Sequence, residues 1–143
     1  MALLQNVCLI SAILAWAVAQ LCKLLIELIA HHRLDWERLT GDGGMPSGHS
    51  ATVTALAVAA LLQYGAASFP FAISAVLAII VMHDAMGVRG QAGQHARTIK
   101  ELLLKLNGAP PEKMLEELLG HTPLQVAVGA LLGALVAILY SLR

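Results

Sequence analysis

Four stretches of this chain are apolar over about the thickness of a lipid bilayer, and no other feature restricts its fold as strongly. Residues 3–30 form an apolar run interrupted by Gln5, Asn6, Gln20, Lys23 and Glu27. At about 1.5 Å per residue this run can cross roughly 30 Å of hydrocarbon. A second run extends from about Pro46 to Tyr64 and stops at Gly65, a third from about Phe69 to Ala85, and a fourth from about Pro123 to Leu142. Each of the last three has a proline near its first turn, where a missing N–H costs nothing. No alternating strand pattern survives, so the chain reads as all-α: a transmembrane bundle of about four apolar helices in one membrane-embedded domain, 1–143.

The composition agrees, with 58% apolar and 13% charged residues. Nine basic residues balance nine acidic ones and no basic run interleaves with aromatics, which argues against a nucleic-acid partner. Cys8 and Cys22 lie in the first apolar run without C-x-x-C spacing, so they read as packing residues. Residues 1–22 lack a basic leader and the apolar pattern continues to about Ala30, as in a retained helix rather than a signal peptide.

Between the third and fourth runs, Leu102, Leu103 and Leu106, then Leu115, Leu118 and Leu119, recur at helical spacing on either side of Pro110-Pro111. They predict two short amphipathic helices that lie along the membrane surface or cap the bundle, the second stopped by Gly120. Small residues such as Ala55, Ala59 and the Gly129-x-x-x-Gly133 pair let helices approach closely; packing within the chain is the preferred reading, and a homo-oligomer through such faces stays open. With four crossings, segments 31–49 and 86–122 share one side, which holds Arg33, Arg38, Arg89, Arg97, Lys100, Lys105 and Lys113. By the positive-inside rule that side is cytoplasmic, in a bacterial-type inner membrane.

The same helix count gathers chemistry at one end of the bundle. Gly43-Gly44-Met45-Pro46-Ser47-Gly48-His49-Ser50 sets glycines, a proline, two hydroxyls and an imidazole at the mouth of an apolar helix. The first N–H groups of a helix lack intrahelical partners and, with the dipole, suit an anion; an ordinary N-cap at Ser47 is the plainer alternative. Lys23, Asp84, Arg89 and His95 fall at the same end. Arginine and lysine match phosphate, while histidine transfers protons or attacks phosphorus near neutral pH. Lys23 could instead snorkel to headgroups, and Asp84 could orient an imidazole, pair with Arg89 or be solvated. His31 and His32 with Asp35 are not assigned a metal, because adjacent histidines cannot both face one ion on a regular helix. His83 and His121 are read as structural.

These residues resemble the type 2 phosphatidic acid phosphatase superfamily, related to bacterial acid phosphatases and vanadium-dependent haloperoxidases. Pro46-Ser47-Gly48-His49 matches its second signature. The ordered set of residues 43–51, His83-Asp84-Ala85-Met86-Gly87-Val88-Arg89, Gly93-Gln94-His95-Ala96 and Leu119-Gly120-His121-Thr122-Pro123 looks like its small divergent membrane branch. The resemblance implies that His49 is the general acid, that Ser47, Gly48 and Arg89 bind phosphate, and that His95, at arginine-x(5)-histidine spacing, is the nucleophile; Lys23 stands for the lysine of the first signature. Three positions depart from the pattern. Lys23 is followed by Ala30-His31 where arginine-proline is usual, Val88 replaces the serine before Arg89, and Ile99 replaces the aspartate after His95.

The function expected is hydrolysis of a lipid phosphate or diphosphate through a phosphohistidine, with neither metal nor cofactor. The departures motivate an alternative of another class: a membrane protein that binds phosphate or a lipid headgroup without turnover, in transport or assembly.

Overall fold

The computed structural model describes residues 5–31, 44–106 and 120–143. They form five helices: α1 (Val7–His31), α2 (Gly48–Tyr64), α3 (Phe69–Met86), α4 (Val88–Lys105) and α5 (Pro123–Ser141), with no strand among the described residues. Local sequence sets the ends. Ser47, Ser68 and Thr122 are N-caps of α2, α3 and α5, each side chain accepting a backbone N–H from the first turn. Pro70 and Pro123 occupy first-turn positions of α3 and α5. Gly65 stops α2 at φ +82°, a conformation that a β-carbon disfavours.

Helix α2 is the hub. Among the described residues α1, α3 and α5 all pack against it, whereas α1 and α3 do not meet. Cys8 Sγ near the start of α1 donates to Gln63 Oε1 near the end of α2, so these helices run antiparallel. Gly129 faces Ser47 and Gly133 faces Ala51, so α5 runs parallel to α2. The core is made of small side chains: Cys8, Ala15 and Ala19 from α1, Ala51, Ala55, Ala59 and Ala60 from α2, and Ala137 from α5. Lipid tails are as apolar as leucine, so helices in a bilayer gain from close backbone contact, and small residues allow it. A β-carbon on Gly129 would run into the Ser47 carbonyl oxygen and one on Gly133 into that of Ala51. The glycine pair is therefore used inside the chain.

Three helices are long and apolar enough to cross a membrane: Val7–Ile29 within α1, then α3 and α5. Their outer faces expose Ile13, Leu21, Ile73, Ile79, Leu131 and Leu135. Of the roughly four apolar helices expected from the sequence, three are membrane-length and lipid-facing, and the fourth, α2, is a shorter hub among them. Helix α2 has 17 residues, about 25 Å. Three helices cover it, so it presents alanines to protein where the others present leucine and isoleucine to lipid. Helix α4 is one 18-residue helix in the region where a short amphipathic helix was expected, and among the described residues it packs against α3 alone. The second amphipathic segment, around Leu115, Leu118 and Leu119, lies outside the described residues.

Candidate phosphate site

The turn into α2 is fixed before any side chain reaches outward. Ser47 is fully buried, and its Oγ accepts hydrogen bonds from Ser50 N (3.3 Å) and Ser50 Oγ (3.0 Å). The Ser47 N–H donates to the Gln125 carbonyl in the first turn of α5 at 3.1 Å. Ser47 therefore has the plainer role of an N-cap and also ties α2 to α5. Gly44, at φ +92°, leads into this turn.

Three elements close around it. From α1, Lys23 lies along the turn: a β-carbon on Gly44 would be 4.0 Å from Lys23 Cδ, and one on Gly48 would be 3.9 Å from Lys23 Nζ and 3.8 Å from Gln20 Oε1. From the start of α5, His121 packs edge-to-face on His49, with ring centroids 6.1 Å apart and planes at 87°. From α3, the Ala85 carbonyl accepts the His121 N–H at 3.0 Å, and Asp84, one residue earlier, is half-buried. His49 is half-buried and His121 only 5% exposed.

This arrangement suits an anion. Helices α2 and α5 run parallel and meet at their N-termini, so the positive ends of both dipoles lie together, and neither has an acidic residue in its first turn. The Lys23 ammonium adds a full charge beside Gly48. A half-buried imidazole at the rim can give or take a proton.

Helix α4 stands apart from this group. His95 is exposed on it, and among the described residues α4 meets neither α2 nor α5. The backbone of Arg89 lies in the first turn of α4, while its side chain is outside the described set, as are Gly43, His32 and Asp35. His83 is exposed in the last turn of α3. The structure thus brings Lys23, Ser47, Gly48 and His49 together, sets Asp84 one residue before the carbonyl that holds His121, and carries His95 on a separate helix. It adds His121, read from the sequence as structural. A signal was available: Gly-His-Thr-Pro at 120–123 puts an imidazole, a hydroxyl and a proline at the mouth of an apolar helix, much as Pro-Ser-Gly-His does at 46–49. No group of three or more metal-ligating side chains occurs among the described residues.

Residues 4–136 match the family described as the Divergent PAP2 family. The chain is 42% identical to the uncharacterized membrane protein YuiD of Bacillus subtilis (strain 168), with 96% of each chain covered. No solved structure matches. Three membrane-length apolar helices and a membrane protein as relative make this an integral membrane protein.

Proposed function

The chain belongs to the divergent PAP2 family, and on that footing we propose that the end of the bundle around His49 seats the phosphate of a membrane lipid and hydrolyses it without a metal. The observation that carries this reading is the convergence of Lys23, Gly48 and His49 where the N-termini of α2 and α5 meet. The Gly48 backbone and Lys23 would hold equatorial phosphate oxygens, and Arg89 would add its planar fork of donors. Ser47 serves the phosphate indirectly, by fixing the turn. Asp84 would orient an imidazole.

The chemistry follows from two imidazoles. A His95 ring nitrogen attacks phosphorus and the bond to the lipid oxygen breaks, while His49 gives that oxygen its proton. Water then gives a proton to the now neutral His49 as it attacks the phosphohistidine, and the phosphorus–nitrogen bond breaks, releasing phosphate and restoring both imidazoles. On a helical register, His95 shares a stripe with Ile99, Leu102 and Leu106. His95, Ile99, Leu102 and Leu106 are all exposed. Laid on the bilayer surface, this stripe turns His95 toward lipid headgroups. The positive-inside rule puts this end in the cytoplasm, so the substrate is a lipid phosphate or diphosphate of the inner leaflet.

Purified protein should release phosphate from a lipid monophosphate or an isoprenyl diphosphate without added Mg²⁺. His49→Ala and His95→Ala should each abolish release, and equal release by wild type and His95→Ala would overturn the mechanism.

One observation favours a second reading. His95 rides on a helix that, among the described residues, packs only against α3, as a phosphate-binding protein without turnover would allow. Orthovanadate binding that depends on Lys23 and His49, with no hydrolysis across a panel of lipid phosphates, would select it.

A further inference from the structure

We infer that His121 is a positioning residue for His49: it fixes the orientation of the imidazole ring that faces the phosphate. The inference deepens the reading above and rests on it for its functional consequence, while its structural part stands by itself.

The placement of His121 is unusually constrained. Its N–H is held by the Ala85 carbonyl of α3. The next residue, Thr122, closes a reciprocal cap with Gln125: Thr122 N–H donates to Gln125 Oε1 at 2.9 Å, and Gln125 N–H donates to Thr122 Oγ1 at 3.3 Å. The Gln125 carbonyl then accepts the N–H of Ser47, whose hydroxyl holds Ser50 on the other side of His49. One chain of hydrogen bonds therefore runs from the end of α3 through His121 and the first turn of α5 to the two neighbours of the His49 turn. The backbones that carry the two rings cannot shift independently.

The rings meet edge-to-face, the arrangement in which the positive edge of one aromatic ring lies on the electron-rich face of the other. Such a contact favours one tilt of the His49 ring, because moving the planes away from the perpendicular loses the edge-on-face fit. His121 is nearly enclosed and His49 only half so. The exposed flank of His49 is left for the ligand, and the covered one is held. A buried imidazole brings two polar nitrogens into the interior, which a phenyl ring of similar size would not. Filling space alone gives no reason for histidine here.

The test uses the full-length chain in detergent micelles or lipid nanodiscs. Nitrogen-15 spectra of the histidine rings, with His49 assigned from its loss in His49→Asn, are compared for wild type, His121→Phe and His121→Gln. If His121 does not hold the His49 ring, His121→Gln keeps the fold and leaves the His49 ring signals where they were; that result overturns the inference. If it positions His49, the ring signals of His49 move in His121→Gln and move less in His121→Phe, which keeps an aromatic ring beside it, while His83→Asn, on an exposed position of α3, leaves them unchanged. Should the glutamine variant fail to fold, His121→Asn decides by the same signals. Supporting partners of a ligating histidine are worth roughly ten- to a hundredfold in metal affinity, and a loss of about tenfold in orthovanadate affinity is expected for His121→Gln. Under turnover, kcat should fall with little change in KM. A wild type that neither binds orthovanadate nor hydrolyses any lipid phosphate removes the functional reading, whereas the ring spectra of the ligand-free protein still decide the positioning role.

Discussion

The α2–α5 end and helix α4 each carry part of one set of motifs, yet they are built in opposite ways. Around His49 every backbone is tied to another element: Ser47 to Gln125, His121 to Ala85, and Gly129 and Gly133 to the backbone of α2. Helix α4 holds His95 and Arg89 on a segment joined to α3 at Gly87 and, among the described residues, packed against nothing else. The exposed apolar side chains of Ile99 and Leu102 on α4 and of Leu106 at its C-cap would find their partner in the bilayer. The difference separates two tasks. A rigid end can hold preorganised donors for an anion, and a helix that depends on the membrane surface can bring a reactive group to a substrate that resides there.

The largest effects should come from the tied end. His49→Ala removes a proton donor, a group generally worth about 10²- to 10⁴-fold in rate, and phosphate release should fall within that range in a colorimetric assay with a lipid monophosphate. Retained activity would move the chemistry away from α2 and break the comparison. Next in size is Gly133→Leu. The Ala51 carbonyl that a β-carbon would strike is helix backbone, so it cannot turn aside as a side chain would. Overpacking typically costs about 1–3 kcal/mol and occasionally more, and this variant should melt well below wild type in detergent or fail to accumulate. A change at Leu131, exposed on the outer face of α5, is mild by contrast: Leu131→Ile should leave the melting temperature nearly unchanged.

Much of the fold was legible in the sequence, because its determinants are local. The caps at Ser47, Ser68 and Thr122, the first-turn prolines and the stop at Gly65 are short-range chemistry, and they set the helix ends. The small residues of α2 and the Gly129–Gly133 pair announced close packing, and the partner of that pair proved to be within the chain. Two features were not legible. That α2 is the covered hub follows from how α1, α3 and α5 distribute around it, which no single stretch encodes. The contact of His121 with His49 joins residues 72 positions apart. It depends on α5 running parallel to α2, and a histidine before a capped apolar helix looks the same whether its ring meets lipid, a carbonyl or another ring.

A smaller effect tests the charge at the tied end. Lys23→Met keeps the length and apolar body of the side chain and removes the ammonium beside Gly48. Hydrogen bonds to charged groups contribute about 1.5–3 kcal/mol, so orthovanadate binding should weaken by roughly ten- to a hundredfold, measured by equilibrium dialysis. The fold should be retained, since Lys23 is half-buried at the rim. An unchanged affinity would mean that Lys23 only reaches for headgroups, and the tied end would lose its one full positive charge from α1.

The smallest change in stability, and the sharpest test of the contrast, belongs to α4. Leu102→Ser and Leu106→Ser alter side chains that are 53% and 79% exposed, and surface substitutions usually stay within about 0.5 kcal/mol. Melting in detergent should therefore be indistinguishable from wild type. The effect should appear only with a bilayer present: a nitroxide or fluorophore at Gln94→Cys should sit shallower in vesicles carrying the double substitution, and turnover of a long-chain lipid phosphate should drop while that of a water-soluble phenyl phosphate does not. Equal loss on both substrates would mean that α4 serves the site by packing within the protein, and the division between a tied end and a membrane-borne helix would fail. Equal retention would leave the binding of α4 to the bilayer without a role in turnover.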